Sequence, residues 1–313
     1  MKIFKWFLIV FLVGVLIFLG YLGTSIYQFS QNIYKENLSD RFENVKNKDV
    51  AFTPPIWNGE EPINVLLVGG DARGLKKGEI PRSDTMMVAS IDPKSGKSAI
   101  FSILRDTYVK IPGFKSDRIN VAITLGGPKL AMQTVSEYLG IPIQYYVYTD
   151  FQGFINAVNA LGGVEIDVEK RMQYSSKADG PLYDINLQPG LQRLYGQEAL
   201  QYVRFRHDAQ SDFARTERQR KFMKALGEQL EKGTSILKLP KVLNNVSPYV
   251  ETNMEFGPLL HFARLAYAVD TTKLQSEQIP PMPLLKETNK NGAAVIEADA
   301  DALKKHVQEV FAR

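Results

Sequence analysis

The sequence predicts an α/β fold, a mixed central β-sheet flanked by helices in an α/β/α sandwich, behind a single N-terminal transmembrane helix. Three observations predict it. The run WFLIVFLVGVLIFLGYLG at 6–23 is uncharged and nearly all apolar, about the length that spans a bilayer core as a helix. Short apolar runs rich in β-branched residues crowd between residues 63 and 104, which suggests adjacent strands of one sheet. From 126 to 168, segments of helical period alternate with strand-like ones, the order that packs helices on a mixed sheet.

Taken in order, Lys2 and Lys5 precede the apolar run and no charge follows it until Lys35. The positive-inside tendency then keeps residues 1–5 in the cytoplasm, makes 6–27 the anchor, and places the rest outside the cell membrane. The run exceeds the ~7–15 apolar residues of a cleaved signal peptide and no A-x-A site follows, so an uncleaved signal-anchor is expected. Residues 28–60 are polar and end in FTPPIWNGEEP, a juxtamembrane stalk with a Pro-rich exit. The folded domain is expected over 61–313, with its motifs concentrated in 61–232.

INVLLVGG (63–70) reads as a buried strand entering a tight loop, and TMMVASID (85–92) and KSAIFSIL (97–104) as strands joined by a Pro-Lys-Ser-Gly turn. GGPKLAMQTVSEYLG (126–140) places Leu130, Ala131, Val135 and Leu139 at helical spacing, with Pro128 near the start and Gly140 after the end. IQYYVYTD (143–150) predicts a strand, 151–163 a helix, and VEIDV (164–168) a strand. Residues 173–189 read as an irregular excursion. Helices are expected from about 196 and about 213, the second N-capped by Asp212. Further on, 255–269 and 299–312 read as helices, 273–279 as a strand, and 280–292 as a loop.

Composition excludes several classes. The chain has no cysteine, so disulfides, thiolate catalysis and Cys-bearing zinc sites are ruled out. Its three histidines, His207, His261 and His306, lack metal-site spacing. A net charge of +4 over 313 residues suits an anionic membrane surface or acidic substrate and does not announce nucleic acid. GGDARG is not a phosphate-binding P-loop, because it lacks the terminal lysine and hydroxyl.

The stretch VRFRHDAQSDFARTERQRKF (203–222) is the chemically unusual one. Arg204, Arg206, Arg215, Arg218 and Arg220 surround Asp208 and Asp212, with no lysine before Lys221. Arginine grips carboxylates and phosphates with a planar fork, so its preference over lysine points to an oxyanion, against the blander reading of a salt-bridged helix face. Arg215 and Gln219 are four residues apart on one helix face, with Arg218 beside them, whereas Arg220 falls on another. Polar residues also gather at strand exits: Asp71 and Arg73 after the first strand, Arg105 and Asp106 after the third. Ligands of α/β sheets favour such ends, although Arg82 and Asp84 precede a strand and need a turn back to join them. Asp71 and Asp84 have the makings of a Mg²⁺ pair completed by water and phosphate oxygens, or are simply turn and cap residues.

VLLVGGDARG, RSDTMM, SILRDT, DRIN with Gly126-Gly127, GGVEIDV and RFRHDAQSDFARTERQ occur in the order found in the LytR-CpsA-Psr family, and the chain resembles its wall teichoic acid ligases over 61 to about 232. The resemblance implies an extracytoplasmic, Mg²⁺-dependent phosphotransferase of Gram-positive bacteria, with Mn²⁺ as the substitute metal. It moves a glycopolymer from a polyprenyl-pyrophosphate carrier to the 6-hydroxyl of N-acetylmuramic acid in peptidoglycan. By the same resemblance Asp71 and Asp84 are the metal carboxylates. Arg82, Arg105, Arg118, Arg204, Arg206, Arg215 and Gln219 bind the substrate pyrophosphate, and Asp84, Arg105 and Arg215 are catalytic. Ser211 departs from a common glycine, and Ala122 to Leu125 lacks an expected tyrosine. The partners expected are the lipid-linked glycopolymer, peptidoglycan, the membrane and the wall-synthesis machinery, with no nucleic acid. A polyprenyl-pyrophosphate hydrolase and a lipid-binding regulator are the alternatives.

Overall fold

A computed structural model describes residues 2–71, 79–80, 82–177, 180–206, 211–231, 235–290 and 292–312. Helix α1 (Lys2–Ile33) leads into the first three strands, β1 (Ile63–Asp71), β2 (Arg82–Ile91) and β3 (Ser98–Ile103), which form an antiparallel meander. The turn between β2 and β3 is made by Asp92, whose carboxylate accepts from the Lys94 amide at 2.9 Å, and by Gly96 at φ +70°. A small pair, β4 (Tyr108–Val109) and β5 (Asp117–Arg118), precedes helix α2 (Ala122–Leu139) and strand β6 (Tyr145–Asp150). Then come α3 (Phe151–Leu161), β7 (Val164–Val168), β8 (Met172–Tyr174), β9 (Ile185–Leu187), β10 (Gly190–Leu194), α4 (Gly196–Arg204) and α5 (Ser211–Glu231). The chain closes with α6 (Ser235–Val246), β11 (Val250–Thr252), α7 (Phe256–Ala268), β12 (Gln275–Ile279), β13 (Lys286–Lys290), β14 (Ala293–Glu297) and α8 (Ala300–Ala312).

Among the described residues the main sheet has six strands in the order β11-β6-β1-β2-β3-β12. β6 runs parallel to β1 and β12 parallel to β3, while β11 is antiparallel to β6, so the sheet is mixed as predicted. The carboxyl ends of β1, β3, β6 and β12 and the amino end of β2 therefore meet at one end of the sheet. Alternation decides what each face buries. Leu66, Val68, Val88 and Phe101 pack with Leu130 and Val135 of α2 and Leu303 and Val307 of α8. Full burial of each such side chain contributes roughly 2–3 kcal/mol. On the opposite face Ile63, Val65 and Tyr145 pack against Leu259 and Phe262 of α7, while Leu67, Met87 and Val147 line a cavity toward α3 and α5.

Several expectations change. Residues 28–60 are not a free stalk: α1 continues to Ile33, Phe42 is 1% exposed in the main core with Val45, and Arg41 pairs with Asp150 at 3.0 Å and Glu251 at 3.1 Å. The Gly126-Gly127 pair lets this segment approach. Both residues leave helical geometry, Gly127 at φ +67°, and a Cβ on Gly127 would lie 2.7 Å from Leu38 Cδ2. The polar look of the segment hid a few apolar anchors. The 280–292 segment is not a loop, since β13 and β14 pair across it. Residues 190–194 form β10 on β7, and β8 and β9 pair within the excursion at 173–189. Helix α6 is unforeseen because Pro240 lies inside it. In α1 the side chains of residues 1–15 lie outside the description, and among the described residues no helix is long and apolar enough to cross a membrane.

Candidate functional site

The antiparallel turn from β1 into β2 supplies the reversal that Arg82 and Asp84 needed. Asp71 pairs with Arg82 in register, Gly70 with Ser83 and Gly69 with Thr85, so Asp84 is the extra residue of a β-bulge. A bulge re-aims a side chain, and here it stands beside Gly70, where a Cβ would run into the Tyr148 hydroxyl. The Arg82 side chain, Arg73, His207 and Asp208 lie outside the described residues.

Three guanidinium groups converge on two carboxylates at this sheet end. Arg105 donates to Asp84 at 2.5 Å and lies 4.0 Å from Asp212. Arg206 reaches Asp212 at 3.4 Å and Arg215 reaches it at 2.7 Å. Asp212 is thus the hub of the cluster, not the predicted N-cap: helix α5 already includes Ser211, and neither Asp212 oxygen makes an aligned hydrogen bond among the described residues. The short Arg215 contact is a charge contact without hydrogen-bond alignment. Among the described residues the Nε atoms of Arg105, Arg206 and Arg215 and Arg215 Nη2 are likewise buried without an aligned acceptor. Buried donors of that kind are costly unless an acceptor reaches them.

The charge balance is uneven within the cluster. Burial pulls the Arg105 pKa down, but Asp84, Asp212 and Asp106 outweigh it and the net shift is upward. For Arg215, burial dominates and the nearby Arg105 and Arg206 reinforce it against Asp212, so its pKa falls to about 10. Arg215 remains a cation at neutral pH, yet it is the one whose charge is least compensated.

Gln219, one turn after Arg215, donates to Thr85 Oγ1 at 2.9 Å and so fixes α5 against β2. Arg204 ends α4 with its guanidinium 5.2 Å from the Phe151 ring centre and 5.3 Å from that of Tyr183. Arg118 is not in the cluster itself. It bonds Asp106 at 3.1 Å, and Asp106 lies 3.6 Å from Arg105, which leaves Arg118 one step out. Arg218, expected beside Arg215, turns away to Glu169 at 2.6 Å and to the Phe205 carbonyl at 2.9 Å.

Asp84, Arg204, Arg206, Arg215 and Gln219 ring one end of a cavity of about 660 Å³ between the sheet and helices α3, α4 and α5. Its depth is apolar, with Leu67, Met87, Phe154, Leu200, Phe222 and Leu226 among the lining side chains. These were invisible in the sequence because a lining residue and a core residue obey the same periodicity. The roles of Asp106 and Asp212 were missed too, although the i,i+3 spacing of Asp212 and Arg215 was a usable signal.

The donor set suits a hard cation. Asp71 and Asp84 offer only oxygen, at one sheet end, and the Arg105 bond takes one oxygen of Asp84. Among the described residues no group of three or more His, Cys, Asp or Glu could hold a metal ion by itself, and a cation on Asp71 and Asp84 would need phosphate or water oxygens to complete its shell.

The fold is an α/β/α sandwich that holds an apolar cavity with Arg204, Arg206 and Arg215 among its lining residues. The chain belongs to the LytR_cpsA_psr family, whose model matches residues 20–311. It is 39% identical over 212 residues to the regulatory protein MsrR of Staphylococcus aureus (strain Mu50 / ATCC 700699), a match that spans 66% of this chain and 62% of MsrR. It is 37% identical over 224 residues to the polyisoprenyl-teichoic acid–peptidoglycan teichoic acid transferase TagU of Enterococcus faecalis (strain ATCC 700802 / V583), covering 71% of each. The solved structure of TagT bound to LI-WTA superposes with a TM-score of 0.65 at 26% identity, covering 89% of this chain and 98% of that chain.

Proposed function

We propose that this protein transfers an anionic glycopolymer, wall teichoic acid in the first instance, from a polyprenyl-pyrophosphate carrier to the 6-hydroxyl of N-acetylmuramic acid in peptidoglycan. The observation that carries the reading is the cavity, apolar in its depth and ringed at its mouth by Arg204, Arg206 and Arg215. A prenyl chain suits the first part and a pyrophosphate the second. TagT bound to LI-WTA and the transferase TagU support the substrate class.

In the reaction proposed, the acceptor hydroxyl oxygen bonds to the phosphorus that carries the glycan. The bond from that phosphorus to the bridging oxygen breaks, and polyprenyl phosphate leaves with the electron pair. Arg105, Arg206 and Arg215 hold the pyrophosphate oxygens as charge moves onto the leaving phosphate, a preorganised stabilisation that needs no rearrangement. Arg204 and Gln219 border the head group, and Arg118 acts through Asp106. Asp84 is the candidate acceptor for the hydroxyl proton. Asp71 and Asp84 would hold Mg²⁺, or Mn²⁺ in its place, and Arg82 is proposed to bind the same phosphates. The metal would supply Lewis-acid neutralisation of the phosphate charge. The anchor at 6–27, with the domain outside the membrane, belongs to the same proposal because the lipid carrier must be reached from a bilayer.

The test uses the full chain in detergent micelles, a short-chain prenyl-pyrophosphate disaccharide, Mg²⁺, and a peptidoglycan oligomer added or withheld, read by mass spectrometry. Joined glycan seen only with the acceptor is the expected result. Prenyl phosphate released equally without acceptor would convert the reading to a hydrolase. Bound, unchanged lipid in both tubes would leave the lipid-binding regulator, the reading that the name of MsrR favours.

A further inference from the structure

The segment that leads out of α1 crosses the sheet at β11 and the end of β6. Tyr34 forms a parallel bridge with Thr252 of the edge strand β11, and the Lys35 amide donates to the Thr252 carbonyl at 2.8 Å. Ser39 Oγ donates to Glu251 at 2.7 Å, and the Asn47 amide donates to the Leu125 carbonyl at 2.8 Å. Between these ties Arg41 forks across two strands: its Nη1 donates to Asp150 at 3.0 Å and its Nε to Glu251 at 3.1 Å. Its guanidinium carbon lies 5.0 Å from the Tyr148 ring centre, and Phe42 meets the same ring edge-on at 5.2 Å.

Asp150 is where this segment meets the candidate site. It ends β6 opposite Gly70 of β1, the neighbour of Asp71, and it lines the apolar cavity. The strand order puts it two strands from the Asp84 bulge, about 10 Å by strand spacing. Its Oδ1 accepts from the Gly153 amide at 2.9 Å and so caps α3, and among the described residues Arg41 is the one cation in an ion pair with it. A carboxylate in that place opposes the anion that the proposed function assigns to the cluster. Arg105, Arg206 and Arg215 exceed Asp84 and Asp212 by a single positive charge, which an unmasked Asp150 would offset. In a partly buried site a unit charge at about 10 Å shifts a binding equilibrium roughly tenfold.

We propose that Arg41 is a positioning residue of the anion site: docked from the segment after α1, it masks Asp150 and holds it on the α3 cap, so that a pyrophosphate meets the guanidinium cluster without an opposing carboxylate. The proposal rests on the transferase reading for its ligand, and it makes the stretch between α1 and β1 part of the site.

The test uses the full chain in detergent and two ligands of equal chain length, a short-chain prenyl pyrophosphate and the uncharged prenyl alcohol, with binding read by calorimetry. Arg41→Ala is expected to bind the pyrophosphate about tenfold more weakly, with a deficit that shrinks as salt rises, and to bind the alcohol within twofold of wild type. Asp150→Asn keeps Arg41 and an acceptor for the α3 cap, so it should bind the pyrophosphate at least as tightly as wild type, and the double variant Arg41→Ala/Asp150→Asn should recover most of the loss. The Asp150→Asn arm keeps the test valid if Arg41→Ala folds poorly. Equal losses for pyrophosphate and alcohol in Arg41→Ala would make the residue merely structural and overturn the proposal. So would a tenfold weaker pyrophosphate complex in Asp150→Asn, or a double variant no better than Arg41→Ala. If the binding pattern holds while the wild-type chain joins no glycan, the transferase reading fails and the role of Arg41 stands; joined glycan with unchanged pyrophosphate binding in Arg41→Ala gives the reverse.

Discussion

Two faces of helix α5 carry arginines that are equally buried and entirely unlike. Arg215 is 3% exposed and Arg218 2% exposed, less than one turn apart. Arg218 gives its Nε to Glu169 at 2.6 Å and its Nη1 to the Phe205 carbonyl at 2.9 Å, and its guanidinium lies 5.2 Å from the Phe205 ring centre. Its charge is consumed in tying α5 to the end of β7 and to the segment after α4. Among the described residues Arg215 shares a single carboxylate, Asp212, with Arg105 and Arg206, and two of its nitrogens have no aligned acceptor. Arg218 has a carboxylate of its own, whereas Arg215 shares its carboxylate with two other guanidinium groups, and the proposed function gives that difference its meaning: the shared cation is the one that would receive an anion. Burial alone does not separate the two; the count of partners does.

The largest effect that tests this contrast is on activity. Arg215→Ala is expected to lower glycan transfer by about 10²–10³-fold, the loss typical of removing one preorganised donor from a developing negative charge. Its Tm should change little, because removing it also relieves repulsion from Arg105 and Arg206. A transfer assay beside a melting curve checks both, and a Tm fall as large as that of an Arg218 variant would erase the distinction.

Ligand stabilisation comes next. A short-chain prenyl pyrophosphate at about a hundred times its Kd should stabilise the wild-type protein by about 2.7 kcal/mol in thermal unfolding, and should do so far less in Arg215→Ala. Equal stabilisation of both proteins would place the anion elsewhere.

Arg218→Ala should fail differently. Breaking a fully buried pair costs about 3–5 kcal/mol, and with the Glu169 side chain 35% exposed the loss should be roughly 2 kcal/mol. That is a Tm decrease of about 4–8 °C, with activity lost only in proportion to unfolding. Arg218→Lys should recover little, since one ammonium does not reproduce the fork that spans Glu169 and the Phe205 carbonyl.

The smallest effect is a pH dependence. Burial raises the Glu169 pKa, but its own backbone amide and Arg218 outweigh this and hold it below its ordinary value of 4.5. Its ionised form therefore adds stability above about pH 4.5, and that increment disappears as pH falls through the lower folded-state value. The Tm gap between wild type and Glu169→Gln should be full at pH 7 and close in acid, which melting curves across pH 3–7 would read.

The sequence by itself determined the mixed α/β class, most strands and helices of the main sheet, and the family. Hydrophobic period, turn residues and helix ends are local properties written in consecutive residues, as in 63–104 and 126–168. It also singled out Arg204, Arg206 and Arg215, because arginine in preference to lysine is a chemical choice visible without coordinates, and Arg105 and Asp84 by their places at strand ends and in the family's motifs. Only the tertiary structure decided that Arg218 leaves the cluster and Arg118 stands one step outside it, and that Asp212 gathers the guanidinium groups instead of capping a helix. It alone showed that Phe42 and Arg41 of the expected stalk belong to the folded domain, and which apolar side chains line a cavity and which fill a core. Those facts depend on contacts between residues far apart in the chain, such as Arg41 with Asp150 or Arg105 with Asp212. No local pattern encodes which of several buried charges will find a partner of its own.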